Sequence, residues 1–389
     1  MFDLQLLYGL VDLPWWGYAL VTYGLIQLMF LGITLYLHRD QSHGGLELHP
    51  VLRHFFRFWL WFCSGTITKE WVAVHRRHHA YADQPGDPHS PVVFGLKKVL
   101  LEGYELYVAG ARNQEILDNY GRGTPDDWIE RNLYTRFPKT GIVIFSLIQL
   151  ALFGIYAILM VTIQLAAQPF FAAGVINGLG HHTGYRSFEM PSAATNIIPW
   201  GLFIAGEELH NNHHAFPWSA RFSLQRWEFD MGWLFICIFR ALGLAKVKRV
   251  APRPHFAPKK TLDTETVQAL FTNRMHVLRD YARRVVRPVC RELAKRHEAI
   301  PDSASKLLIR HPALLAEQAH RALRELLERH KELRTIHEFR ERLTQLWNDS
   351  DQARAVQQLR EWCAQAEASG IRALREFASS LPRYSRAPA

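Results

Sequence analysis

The sequence predicts an all-α protein, an integral membrane helical domain with a cytoplasmic metal-binding cap followed by a soluble helical domain. Three observations predict it. Two long stretches carry no Asp, Glu, Lys or Arg; histidines cluster beside the apolar sequence; and composition changes sharply after a proline-rich stretch near residue 255. The mean hydropathy of −0.11 looks soluble only because it averages two unlike halves.

Trp15 to Leu37 is the first uncharged stretch, long enough to cross a hydrocarbon core of about 30 Å. Leu4 to Val11 is a shorter apolar piece before it. Gly141 to Gly180, also uncharged, is too long for one span, so two antiparallel spans are expected with a turn near Gln164 to Pro169. No Lys or Arg precedes Arg39, and none lies between Lys139 and Arg186. Cytoplasmic flanks collect these residues, so the N-terminus is placed outside and all three histidine clusters inside. Neither a basic n-region nor a small-residue cleavage site marks a secretory signal.

Val51 to Thr68 is aromatic-rich but starts with Arg53, His54 and Arg57, which suits a re-entrant or interfacial helix. Asp83 to Asp87, with Pro85 and Gly86, reads as a turn, and Gly95 to Arg136 as a polar cytoplasmic segment. Trp227 to Leu244, interrupted by Asp230 and Arg240, reads as a helix at the membrane face. Pro252, Pro254 and Pro258 mark a linker. The domain expectation is therefore 1–250 in the membrane, 251–261 as linker and 262–389 as a helical cytoplasmic domain. In the last, Leu323, Leu326, Leu327, Leu333, Ile336, Phe339, Leu343, Leu346 and Trp347 recur at helical spacing among charges, the pattern of antiparallel soluble helices with a shared core. The net charge of +10 lies largely in the inside segments and this C-terminal part, which suits anionic lipid headgroups. No nucleic-acid recognition motif accompanies it. Cys63, Cys237, Cys290 and Cys363 form no CxxC pair and read as reduced thiols.

The clusters are His38-x4-His43, His75-x2-His78-His79 and His210-x2-His213-His214. A lone histidine on an apolar face is usually a satisfied core residue, but ordered repetition at ligand spacing is hard to obtain from packing. Positions i, i+3 and i+4 share a helix face, so each HxxHH cluster is expected to aim three nitrogens at one place. A structural zinc site closes with four ligands, usually including Cys, so eight histidines exceed one zinc. Two metals with open positions fit better, and a nitrogen-rich open pair suggests iron activating dioxygen, although sequence alone does not separate iron from other transition metals.

The motifs LHRDQSH, EWVAVHRRHH with DPHSP, NGLGH, and GEELHNNHHAFP with RWEFDMGW resemble the membrane-bound fatty acyl desaturases, specifically the acyl-CoA (Δ9-type) class and bacterial members with a C-terminal extension. The resemblance covers about residues 30 to 248. It implies two irons held by nine histidines: His38, His43, His75, His78, His79, His210, His213 and His214, with His181 as the ninth and Asn177 reaching a metal through a water. His182 is not an expected ligand, since adjacent helical residues point about 100° apart. His89 and Glu207 are expected to orient ligand imidazoles, and Trp71 to wall a substrate tunnel. Family members usually have two spans before the first histidine cluster, whereas this chain offers one clear span.

The resemblance implies an O2-dependent oxidoreductase that desaturates a long acyl chain, the bond position being set by how deeply the chain enters. The cosubstrate is O2, and two electrons come from an external donor such as a ferredoxin, a cytochrome b5-like protein or a flavin reductase. The expected location is the bacterial inner membrane, multi-pass, among membrane lipids. The rivals are a diiron lipid hydroxylase or ketolase, and a non-catalytic membrane metal-binding protein. Leu333 to Arg386 faintly resembles the terminal helices of some transposases, but no catalytic acids are identifiable and no nucleic-acid partner is expected.

Overall fold

The computed structural model describes residues 8–258, 261–296, 300–347 and 352–385, so residues 4–7 of the first apolar piece and 259–260 of the expected linker lie outside it. The protein is mostly helical and forms two compact units. One comprises the chain up to Arg186 with Ser192–Ala251, the other Ser187–Pro191 with Pro252–Ala389.

In the first unit, Pro14 ends an extended segment and α1 runs over Trp15–Gly32. Its 18 residues rise about 27 Å. It continues without a break into a π-helix, Ile33–Ser42, and the 28 residues together are long and apolar enough to cross a membrane. Residues 9–14, by contrast, are not helical. Leu10 and Val11 donate backbone bonds to Ala151 and Leu152. α2, Pro50–Ser64, starts with proline at its first position and ends at Gly65 in the left-handed region (φ 67°). It buries Phe56, Leu60 and Cys63 and exposes Val51, Phe55 and Phe58. α3 (Thr68–Ala80), the short α4 (Pro91–Phe94), α5 (Leu96–Ala111) and α6 (Gln114–Tyr120) follow.

α7, Pro138–Phe153, and α8, Tyr156–Ala167, are the hairpin of the second uncharged stretch. Its turn falls at Gly154 and Ile155, not near 164–169. Gly154 has φ 56° and ψ −137°, which an L side chain resists. Gln168 and Pro169 instead open a π-helix, Gln168–Ile176, that prolongs α8. Proline is tolerated there because it sits where one helical segment passes into the next. Tyr156–His181 is thus the second element long and apolar enough to span. Leu147, Ile148, Ile158 and Leu159 are exposed, an apolar band that suits lipid rather than water. Inside the hairpin, Gln149 and Gln164 exchange side-chain amide bonds of 2.8 and 3.0 Å, each satisfying the other where no water is at hand. A Cβ on Gly103 of α5 would lie 2.7 Å from the Ala173 carbonyl, so only glycine lets α5 and this π-helix touch at the backbone.

α9 (His210–Ala215) and α10 (Met231–Ala241) complete the helices of this unit. β1 (Leu46–Leu48) pairs antiparallel with β4 (Ala245–Val247), and β2 (Trp200–Gly201) pairs parallel with β3 (Phe229–Asp230).

The second unit is built from α11 (Thr264–Thr272), α12 (Arg274–Tyr281), α13 (Arg287–Lys295), α14 (Ala304–Ile309), α15 (Glu317–Arg329), α16 (Lys331–Leu346), α17 (Gln352–Ala368) and α18 (Arg372–Ala378). The leucine stripe lands on α15 and α16, burying Leu323, Leu326, Leu333, Ile336, Phe339, Leu343 and Leu346 with Tyr281 and Trp362. The polar ends of both aromatics are satisfied, Tyr281 by the Ile336 carbonyl (2.7 Å) and Trp362 by that of Phe339 (2.9 Å). The proline-rich stretch is partly ordered by pairing, since β5 (His255–Phe256) lies antiparallel to β6 (Tyr384–Ser385).

Candidate metal centre

The first cluster depends on the π-helix. His38 and His43 are five residues apart, which on an α-helix puts them on different sides. Here the His43 amide bonds the His38 carbonyl (3.1 Å), the i to i−5 bond that defines a π turn, and this wider turn brings both rings to one side. Arg39, beside His38, is fully buried. It makes a two-bond pair with Asp230 (2.9 and 3.1 Å) and further bonds to Thr34 and the Ala220 carbonyl. A Cβ on Gly206 (φ 104°) would collide with Asp230 Oδ1, so glycine there makes room for this strut.

The nine histidines fall into two groups, each with ligand nitrogens within 4.8 Å of one another: His38, His43, His75, His79 and His213; and His78, His181, His210 and His214. Each HxxHH cluster is therefore divided, which corrects the expectation that it aims three nitrogens at one place. On α3, His75 and His79 join the first group and His78 the second. On α9, His210 and His214 join the second and His213 the first. The reason is angular: i and i+4 differ by about 40°, whereas i+3 lies about 100° from i+4. Two short helices set against each other thus contribute two rings and one ring to opposite groups.

Nε2 faces Nε2 across each group. The separations are 3.0 Å for His38 and His213, 2.9 Å for His43 and His75, 2.9 Å for His79 and His213, 3.0 Å for His181 and His210, and 3.1 Å for His210 and His214. Also within the four-histidine group, His78 and His214 stand 3.3 Å apart. Such spacings match the edge of a coordination polyhedron with metal–nitrogen distances of about 2.1 Å.

The second nitrogen of three rings fixes the tautomer. His38 Nδ1 meets Glu207 at 2.8 Å, His78 Nδ1 meets Asp87 at 2.9 Å, and His181 Nδ1 meets Asp83 at 2.9 Å. A ring that donates from Nδ1 presents the Nε2 lone pair inward, the usual carboxylate–histidine–metal arrangement. Asp83 and Asp87 were read from sequence only as parts of a turn; their place four residues apart directly after an HxxHH cluster was the available signal. Asp83 adopts φ 63° and also accepts from Ser90 Oγ, Ser192 Oγ and the Ala193 amide. Asp87 takes the Asp83 and His89 amides.

Burial, with help from neighbouring rings, pulls His43, His75, His79, His210, His213 and His214 well below the ordinary imidazole range, which favours their neutral forms at pH 7. Burial acts on His78 too, but Asp87 outweighs it and raises the group. Asp87 itself, despite burial, is drawn down to about 2 by His78. Glu207 is likewise held below its usual range by His38 against the cost of burial.

The remaining expected residues separate. Trp71 stacks on His75 (4.9 Å, 16°) and lies 6.0 Å from His38. His89 packs 4.7 Å from His78, is buried, and has no hydrogen-bond partner on either ring nitrogen among the described residues. Burial pushes it down to about 3. Asn177 is half-buried one turn before His181. His182 is exposed, and its ring bonds only Thr183 Oγ1 (2.8 Å) among the described residues.

Sequence reading also passed over the polar frame behind α9. Asn212 bonds Asn196, Glu228 and the Phe222 carbonyl, and Asn211 bonds the Ala194 carbonyl. Glu208 binds the amides of Phe203, Ile204 and Gly206, although burial still pushes it up to about 7.

The family model described as Fatty acid desaturase matches residues 13–230. A second model, described as Transposase, matches residues 268–387. Among curated relatives, Delta-9 acyl-lipid desaturase 2 of Arabidopsis thaliana is 30% identical over 251 residues, 62% of this chain and 79% of that one. Acyl-CoA 5-desaturase AL21 of Anemone leveillei is 29% identical, covering 58% and 69%. The sn-1 stearoyl-lipid 9-desaturase of Synechocystis sp. is 31% identical, covering 59% and 70%.

Proposed function

We infer from the fatty acid desaturase family, to which this chain belongs as an oxygen-dependent fatty acyl desaturase, that it places a cis double bond at the Δ9 position of a long saturated acyl chain. The grouping of nine histidines into facing sets of five and four carries this reading. Two irons, when bound, supply dioxygen activation and the removal of hydrogen from two adjacent methylenes, completed by two electrons from an external donor. His38, His43, His75, His79 and His213 would hold one iron. His78, His181, His210 and His214 would hold the other, with Asn177 adding a water-mediated contact to the smaller set. Glu207, Asp83 and Asp87 keep three of these rings in the right tautomer, so that protons stay on Nδ1 and lone pairs on Nε2. Trp71, stacked on His75, would wall the substrate tunnel.

The relatives' names support the position only in part, since they include both 9- and 5-desaturases, and they divide between acyl-lipid and acyl-CoA substrates. The two apolar helices and the placement of Lys and Arg support a multi-pass protein of the inner membrane with the site facing the cytoplasm. The domain reading remains 1–250, 251–261 and 262–389. Residues 252–389 hold 26 Lys and Arg against 17 Asp and Glu, a balance that suits anionic lipid headgroups or an acidic electron donor.

Expression in a desaturase-deficient host, with the double bond located by mass spectrometry, tests the reading. A Δ9 alkene is expected. A hydroxylated or keto product without alkene would favour the hydroxylase or ketolase, and an absence of dioxygen-dependent reductant consumption would leave a metal-binding protein without turnover.

A further inference from the structure

Arg76 follows His75 on α3 and is half-buried. Its guanidinium makes four bonds, all to backbone carbonyls. Nε donates to Ser42 (3.0 Å) and Nη2 to Gln41 (2.7 Å), while Nη1 donates to Tyr120 (3.0 Å) and Arg122 (2.7 Å). Among the described residues it has no carboxylate partner, so its donors are spent on holding backbone rather than on neutralising a charge.

The carbonyls it holds are of one kind. Gln41 and Ser42 end the π-helix Ile33–Ser42, and Tyr120 ends α6. The last carbonyls of a helix have no amide partner within it and form the negative end of its dipole, so a cation set between two such ends satisfies both. Direction on α3 matters as much. Arg76 lies about 60° from His79 and about 100° from His75, but about 160° from His78, so it shares the flank of the two rings that belong to the five-histidine group. Gln41 and Ser42 immediately precede His43. His43 Nε2 lies 2.9 Å from His75 Nε2, and its ring centroid 4.6 Å from that of His79.

We propose that Arg76 is a positioning residue for the five-histidine group: it fixes the end of the π-helix, and so the His43 ring, against His75 and His79. The rigid fork of a guanidinium spans carbonyls on separate elements, which the point charge of a lysine does not. The four-histidine group has other supports. Asp87 and Asp83 orient His78 and His181, and Arg76 makes no hydrogen bond to either aspartate or to α9 among the described residues. The proposal rests on the reading of the nine histidines as metal ligands.

Full-length protein in detergent tests it, with iron per chain measured by elemental analysis during competition with a chelator. In Arg76→Ala one of the two irons should be released at about 10–100-fold lower chelator concentration, the other being held as in the unaltered chain. Should Arg76→Ala not fold, Arg76→Lys keeps the charge without the fork and should show the same single-iron loss to a smaller degree. His43→Ala should lose the same iron, and adding Arg76→Ala to it should not weaken the remaining one further. Exchange of the His43 amide, which closes the π turn, should quicken about tenfold in the Arg76 variants with or without iron. Equal weakening of both irons, or of neither, in a folded Arg76 variant overturns the proposal and leaves Arg76 as a general strut of the fold. If the unaltered chain binds no iron, or His43→Ala keeps both, the ligand reading itself fails and the proposal falls with it.

Discussion

Single side chains divide here between those that would hold metal and those that hold the holders. Replacing His78, His181 or His213 by Ala should abolish desaturation while leaving the protein in the membrane, because the apolar helices do not depend on these rings. His182→Ala should stay close to unaltered activity, since that ring points away and bonds Thr183; product analysis of the four variants checks both statements. Asp87→Asn and Asp83→Asn keep the shape but not the charge, and each should weaken iron binding by about 10–100-fold, read by competition with a chelator. Arg39→Ala is of another kind. It leaves Asp230 buried without its partner, a loss of about 3–5 kcal/mol, so thermal unfolding in detergent should shift downward whether or not iron is present.

Among the elements, the π-helix at Ile33–Ser42 has the plainest consequence. Inserting one alanine after Gln41 would lengthen the i to i+5 spacing to i to i+6, about 120° around the helix from His38. His43 would then swing away from His75. Iron in the five-histidine group should be lost while far-UV circular dichroism stays helical; full retention of two irons would show that the spacing does not matter. In the C-terminal unit, α12 carries His276, whose pKa burial pulls down to about 4 from 6.5. Between those values the unfolded chain takes up a proton that the folded chain refuses. The stabilisation is therefore complete above pH 6.5 and lost as pH falls toward 4. A His276→Gln variant should flatten the pH dependence of the unfolding temperature across that window.

For the whole molecule, orientation in the bilayer is the main expectation. Arg112 and Arg226 are exposed and fall on flanks assigned to the cytoplasm, whereas Cys237, also exposed, would give a background signal. In a Cys237→Ser protein, cysteines placed at 112 and 226 should resist an impermeant reagent added outside intact cells and react once the membrane is opened. Reaction before opening at either position reverses the topology. The C-terminal unit carries most of the excess positive charge but none of the nine clustered histidines. Its match to a transposase model covers only 268–387, and the leucine stripe that runs through it is spent on its own core.

The sequence by itself determined the clustered histidines, the apolar helices and the leucine-striped C-terminal helices, because each is a local pattern of period, spacing or composition. His75, His78 and His79 were legible as candidate ligands from the HxxHH spacing alone. Which ring belongs to which group was not, because that depends on α3 and α9 facing each other from opposite sides of the centre. The turn at Gly154 was misplaced because Pro169 is a strong local breaker signal, yet a π turn absorbed it. Asp83, Asp87, Asn196, Asn212 and Glu228 were not legible as parts of the site, since their roles come from partners as far as 110 residues away. Only the tertiary structure could assign residues 187–191 to the C-terminal unit. A buried phenylalanine reads the same in any loop, and what distinguishes Phe188 is the surface that covers it.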